Sequence, residues 1–337
     1  MSFRVGNLGI DSRALVAPMA GITDAPFRRA VRRFAPTPTY TEMAGSRELA
    51  VGDRKASARA GLDPAELSGA ALAGVQIAGR EPAAVGEAAR MAEAAGARLI
   101  DLNMGCPAKK VVGGLSGAAL MRDEDLAASL VEAAAGAVCV PVTVKMRLGW
   151  GPEDRTARAL ARRVVAAGAR AVTVHGRTRA QFYSGEADWR AVREVVEAVD
   201  VPVIVNGDVT DAAAARAALA ASGAAAVMVG RAVQGRPWTA AAIDAALAGR
   251  PGPAIPEGRV LAEAVAEHYE DMLSHHGVRI GLRRARKHLG WWLRGRGLEP
   301  LLEPLMREED AAAVLGVLRG ALAARLADAA PARERAA

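Results

Sequence analysis

Eight short β-branched or apolar runs recur through the first 230 residues: LVAPMAG from Leu15, TYTEM from Thr39, GVQIAG from Gly74, RLIDLNMG from Arg98, VTVKMRLG from Val142, AVTVHGR from Ala171, VPVIVNGD from Val201 and AVMVGR from Ala226. Runs of this length, bounded by turn residues, fit buried strands. Between most of them lie Ala-, Arg- and Glu-rich stretches with helical spacing, such as EPAAVGEAARMAEAAGA from Glu81 and TARALARRVVAAGA from Thr156. Strand and helix therefore alternate, as in a parallel sheet covered by helices.

A doubly wound open sheet would alternate in the same way, and the polar residues favour a different closure. They fall at the C-terminal end of nearly every run: Pro18-Met19-Ala20, Glu42, Gln76, Asn103, Lys145, His175, Asn206-Gly207-Asp208 and Gly230-Arg231. In a (β/α)8 TIM barrel all these ends converge on one face, where barrel active sites are built. A barrel needs roughly 250 residues, and this chain has 337. The expected organisation is an α/β TIM barrel over 1–248, a Pro/Gly-rich linker, RPGPAIPEG, within 249–258, a small all-helical domain over 259–327 and a flexible tail over 328–337.

Composition narrows the class without naming a chemistry. Apolar residues make up 51% and charged residues 24%, which suits a globular chain with a full core and excludes disorder. No apolar run reaches the roughly 18 residues of a membrane span, and the N-terminus has no signal-peptide core, so no membrane is expected. The two cysteines, Cys106 and Cys139, form no CxxC pair and no metal-ligand spacing; a reducing cytoplasm is expected, with no disulfide and no metal. The net charge of +7 points to an acidic partner. Its location is informative: Arg279, Arg283, Arg284, Arg286, Lys287, Arg294 and Arg296 lie in one helical segment with no Asp or Glu among them. A phosphate backbone would select such a segment, with Arg283, Arg286 and Lys287 as contacts. Trp291 and Trp292 lie in the same run and read as core packing more readily than as base-stacking residues.

Several residues carry candidate chemistry. Asn206-Gly207-Asp208 and Gly230-Arg231 close the seventh and eighth strands, the usual phosphate region of a barrel. An isolated NGD or GR is usually an ordinary turn, but here the two occur together at adjacent strand ends. Lys145 stands inside an apolar strand, where an ammonium group calls for an anion or a ligand. Cys106 follows a strand, and Gly113, Gly114 and Gly117 behind it predict a lid over the barrel mouth. Cys139 reads instead as a small buried hydrophobe.

The motifs APMAGITDAPFRR from Ala17, LNMGCPAKKVVGGLSGAALMRD from Leu102, VKMRLGW from Val144, VHGRTRAQFYSGEADW from Val174, NGD from Asn206, VGRAVQGRPW from Val229 and GLRRARKHLGWW from Gly281 together resemble the tRNA-dihydrouridine synthases. Among the bacterial branches, branch B is the most similar. The resemblance implies FMN in the barrel, a C-terminal helical domain that helps hold tRNA, and NADPH-driven reduction of a D-loop uridine; a monomer is expected. It implies that Pro18, Met19, Ala20, Gln76, Lys145, His175, Asn206, Gly207, Asp208, Gly230 and Arg231 hold the flavin. The implied chemistry is hydride transfer from flavin N5 to C6 of the uracil, with a proton from Cys106 to C5. A thiol with the ordinary pKa of about 8.5 is mostly protonated near neutrality and suits that role. Asn103 has the donor and the acceptor that a uracil edge requires, and Arg177 would hold a carbonyl or a phosphate.

Two other readings remain open on the sequence. A free-pyrimidine oxidoreductase of the dihydroorotate dehydrogenase type would share the barrel but would not need the basic helical domain. A noncatalytic RNA-binding barrel would not need both Cys106 and Lys145. The missing GxGxxG fingerprint fits a nicotinamide that visits without a dedicated domain.

Overall fold

The apolar runs fold as strands in the computed structural model, which describes residues 3–296 and 298–324. In chain order these are β1 (Phe3–Val5), β2 (Leu8–Ile10), β3 (Ala14–Val16), β4 (Thr39–Tyr40), β5 (Ala44–Gly45), β6 (Ala73–Ala78), β7 (Ile100–Met104), β8 (Val142–Arg147), β9 (Val172–His175), β10 (Val203–Asn206) and β11 (Ala226–Val229). The sheet runs β3, β11, β10, β9, β8, β7, β6, β4, with β5 also paired to β6. Every pairing along it is parallel. The Val16 N–H donates to Pro38 O at 2.9 Å, linking β3 to the segment that enters β4. Eight parallel strand positions thus form a nearly closed barrel.

The described chain divides into two compact units. The first comprises the residues up to Asp24, Pro36–Arg231 and Ala240–Gly252; the second comprises Ala25–Ala35, Ala232–Thr239 and the chain from Pro253 onward. The helical unit therefore takes in two segments that precede residue 249. The expected tail over 328–337 lies outside the described residues, as do 325–327. Among the described residues, no helix is long and apolar enough to cross a membrane.

In the first unit the helices bury stripes of small residues. Helix Pro82–Ala94 buries Val85, Ala88, Ala89 and Ala92, the i, i+3, i+4, i+7 face that its alanines predict. Aspartates start several helices: Asp123 accepts from Leu126 N at 3.0 Å, Asp188 from Ala191 N at 3.0 Å and Asp211 from Ala214 N at 2.8 Å. At the N-terminal ends of the strands the β1–β2 hairpin packs Val5 and Ile10 against Leu15, Tyr40, Leu99, Ala171, Ile204 and Ala226. That apolar plug leaves the other end of the barrel for polar groups.

In the second unit, helices Gly258–His276 and Val278–Leu293 pack side by side over a core that includes Trp238, Val265, Tyr269, Met272, Leu289 and Trp292. Gly281 permits their close approach, since a Cβ there would stand 2.5 Å from Met272 O.

Candidate active site

Side chains two residues apart on a strand share a face. Asp101 and Asn103 of β7 and Thr143, Lys145 and Arg147 of β8 therefore form two rows, with Asn103 paired directly to Lys145. Arg147 in turn pairs with His175 of β9, and His175 with Asn206 of β10. The register brings Gln76, Asn103, Lys145, His175 and Asn206 to neighbouring positions at the C-terminal ends of the strands.

A continuous hydrogen-bond chain crosses β6, β7 and β8. Thr143 Oγ1 donates to Asp101 Oδ1 at 2.7 Å, and Gln76 Nε2 donates to Asp101 Oδ2 at 2.7 Å. Gln76 Oε1 accepts from Asn103 Nδ2 at 2.8 Å. Asn103 Oδ1 then accepts the N–H groups of Gly105 at 3.2 Å and Cys106 at 2.9 Å. Burial pushes the Asp101 carboxyl up to about 6, against hydrogen bonds from Gln76 and Thr143 and the charge of Lys145.

Cys106 is half-buried on the loop after β7. Its carbonyl accepts from Ala118 N at 3.0 Å, and Arg147 Nε donates to Gly105 O at 2.8 Å. Lys109–Val112 forms a short helix on this loop, with Lys109 and Lys110 exposed. Arg147 is buried and also donates to Thr178 O at 2.9 Å and Phe182 O at 2.8 Å, tying the Cys106 loop to the loop after β9. Its guanidinium lies 5.6 Å from the ring of exposed Tyr183, and that of Arg231 lies 5.4 Å from the same ring.

The Lys145 ammonium donates to Asn206 Oδ1 at 3.0 Å, while Asn206 Nδ2 donates to Met228 O at 2.8 Å. Burial pulls Lys145 down to about 8, with Arg147 adding to the effect. Lys145 and Arg147 both lie near enough to Cys106 to interact with it electrostatically. His175 is held well below its ordinary value of 6.5, first by burial and then by Lys145, Arg147, Arg177 and Arg231. Arg177 Nη1, a donor only, lies 3.3 Å from His175 Nε2, so that nitrogen accepts and the neutral ring carries its proton on Nδ1.

Gly207 has φ +112°, and a Cβ there would stand 2.8 Å from Ala187 Cβ and 2.9 Å from His175 Cδ2. At Gly230 a Cβ would meet no atom within 4 Å, so open space lies beside the end of β11, next to exposed Arg231. Asp208 accepts from Arg177 at 2.6 Å, Ala187 N at 2.8 Å and Arg231 at 3.3 Å. Although burial works to raise its pKa, these partners hold it below 3.8. Pro18, Met19 and Ala20 lead out of β3 into a tight turn, where Met19 N donates to Thr23 Oγ1 at 3.0 Å and Met19 O accepts from Ile22 N at 3.0 Å.

Arg177 is buried, and its guanidinium is occupied by Asp208, Ser184 O, Gly185 O and His175. It braces the His175–Asp208 corner. In the second unit Arg283 and Lys287 are exposed, while Arg286 is half-buried and donates to Glu308 O at 3.0 Å. Trp292 is core, with Nε1 donating to His268 Nδ1 at 3.1 Å, and Trp291 is half-buried. The expectation for Cys139 is corrected: it is exposed, because its segment between helix Glu124–Ala137 and β8 runs along the surface, where its N–H donates to Glu93 at 2.8 Å. Sequence reasoning passed over Asp101, Thr143 and Arg147. The signal for Asp101 was a charged residue inside an apolar strand, two positions before Asn103.

The fold and the site define a class: a barrel enzyme with a thiol-bearing loop, a partly buried ammonium group and an exposed arginine at the C-terminal face. More specifically, the chain belongs to the dihydrouridine synthase family, since the family profile described as "Dihydrouridine synthase (Dus)" matches residues 15–314. It is therefore an oxidoreductase. A probable tRNA-dihydrouridine synthase of Rhodobacter capsulatus is 51% identical over 325 residues, 96% of this chain and 99% of the relative. The tRNA-dihydrouridine synthase B of Escherichia coli is 40% identical over 86% of this chain and 89% of its own length. Histamine dehydrogenase from Rhizobium sp. 4-9 shares the fold with a TM-score of 0.55 at 15% identity; 80% of this chain aligns with 50% of that one.

Proposed function

We propose that the protein reduces the C5–C6 bond of a uridine in the D-loop of tRNA to dihydrouridine, using FMN at the barrel's C-terminal face and NADPH as the reductant. The observation that carries this reading is the direct pairing of Asn103 with Lys145, which sets the Cys106 loop beside the ammonium group on adjacent strands.

The donor set fits a flavin mononucleotide. Open space beside Gly230 and the charge of Arg231 suit a phosphate, while the Lys145 ammonium, which gives one proton to Asn206, has further protons for a polar ring edge. His175 contributes as a neutral donor through Nδ1. When bound, the flavin supplies the hydride that goes to C6 of the uracil.

The remaining work belongs to this chain. The target base leaves the D-loop stack to reach the barrel mouth. Asn103 and the loop backbone hold Cys106, whose Sγ–H donates its proton to C5. Lys145 and Arg147 stand as cations near the loop that gives up the proton. Arg147 holds the Cys106 loop against the loop after β9 during the transfer. Arg279, Arg283 and Lys287 of the helical unit meet the tRNA backbone.

The test supplies the flavin-loaded protein with NADPH and either unmodified tRNA transcript or free uridine, and scores dihydrouridine for the parent and Cys106→Ala. Product on tRNA alone, lost in the variant while NADPH still bleaches the flavin, is the expected result. Turnover of free uridine would overturn the substrate, and a fully active variant would overturn the proton donor.

A further inference from the structure

Asp101 touches none of the groups assigned above to substrate, yet it ends a chain of amides that leads to Cys106. An ionised carboxylate is an acceptor only, so the Gln76 amide must present Nε2 to Asp101 Oδ2 and turn Oε1 toward β7. Gln76 Oε1 can then accept only from the Nδ2 side of Asn103. Asn103 Oδ1 is thereby left facing the N–H groups of Gly105 and Cys106, which it accepts together. Reversing Asn103 would set N–H against N–H at the loop, and reversing Gln76 would set oxygen against oxygen at Asp101. A buried chain of this kind has one polarity, fixed at its charged end.

We propose that Asp101 is a positioning residue for the proton-donating loop, acting through Gln76 and Asn103 to fix where Cys106 stands. Thr143 supports it by donating to the second carboxylate oxygen. The inference rests on the reading of Cys106 as proton donor, but the placement of the loop can be measured without substrate.

The experiment uses the flavin-loaded full chain in a Cys139→Ser background, so that Cys106 is the sole thiol, and follows its alkylation by iodoacetamide by mass spectrometry. Asp101→Ala removes the acceptor, which should free the loop and speed alkylation roughly fivefold, the equivalent of about one hydrogen bond. Gln76→Met breaks the chain one link later and should do the same; it also keeps the test open if Asp101→Ala does not fold. The double variant should be no faster than either single one, because both break one chain. Asp101→Asn should stay within about twofold of the parent: Asn Oδ1 still accepts from Gln76, while Thr143 Oγ1 turns its proton to Ile100 O, 3.3 Å away, and accepts from Asn Nδ2. Dihydrouridine formation by Asp101→Ala should lose kcat and keep its KM for tRNA.

Unchanged alkylation in Asp101→Ala, additive effects in the double variant, or an Asn variant no better than Ala would each overturn the proposal. If Cys106→Ala keeps its activity, the proton-donor reading fails, while the alkylation series still decides whether Asp101 sets the loop.

Discussion

Asp101 carries a thermodynamic signature that its hydrogen bonds alone would not suggest. Its carboxyl stands at about 6 in the folded chain, against an ordinary 3.8, because burial outweighs its partners. The folded state therefore holds this proton more tightly than the unfolded one, and stability rises as pH falls from about 6 toward 3.8. Above pH 6 the cost of the ionised group is complete, of order 3 kcal/mol. Asp101→Asn should accordingly raise the thermal midpoint clearly at pH 8 and much less at pH 4.5; an equal gain at both would show that the carboxylate is not strained by burial. Gly207→Ala should act in the opposite direction, because a left-handed φ and contacts under 3 Å with Ala187 and His175 leave no room for a methyl. A loss of about 1–3 kcal/mol in urea unfolding is expected, with weaker flavin retention on gel filtration. Full retention would remove Gly207 from the proposed flavin-binding residues. Much of this site was legible in the sequence: polar residues at the C-terminal ends of the apolar runs gave Gln76, Asn103, Lys145, His175 and Asn206. Asp101 and Arg147 were passed over: each stands as a charged residue in an apolar run, but the partners that give it a role come only with the folded register. The buried role of Arg177 was equally hidden, since its partners Asp208, Ser184 and Gly185 meet it only after folding.

Among the elements, all eight barrel strands could be read from apolar runs, because strands buried on both faces give continuous hydrophobic segments. The β1–β2 hairpin was missed although its signal is local: Gly6-Asn7 between Phe3/Val5 and Leu8/Ile10 is a two-residue turn flanked by alternating apolar residues. Helix Ala25–Arg32 was hidden differently, because no local pattern says that a helix after the first barrel strand groups with residues beyond 253. The helix pair Gly258–His276 and Val278–Leu293 offers a sharp test of packing against propensity. Gly→Ala inside a helix normally gains up to about 1 kcal/mol. At Gly290, where a Cβ meets nothing within 4 Å, that gain should appear as a higher unfolding midpoint. At Gly281 the methyl would stand 2.5 Å from Met272 O, so overpacking of about 1–3 kcal/mol should reverse the sign. Two variants with the same midpoint shift would mean that the helices are not packed this closely.

At the scale of the whole molecule, the net charge of +7 matters less than the way cations are used. Arg319 is exposed yet bridged to Glu263 and Glu270, so its charge is already compensated. Arg279, Arg283 and Lys287 recur every four residues on one helix and are exposed, forming a row with no acid in its own segment. If that row meets a phosphate backbone, each residue releases counterions on binding, and the dependence of log K on log salt reports their number. Changing all three to Gln should weaken tRNA binding most at low salt and flatten the slope by roughly one for each phosphate that is no longer neutralised, while flavin content stays at the parent value. Arg319→Gln should leave the slope unchanged, because its carboxylate partners already screen it. Equal slopes for the parent and the triple variant would move the RNA-binding surface away from this helix. A flattened slope for Arg319→Gln as well would reduce the effect to net charge, and the row would lose its special standing.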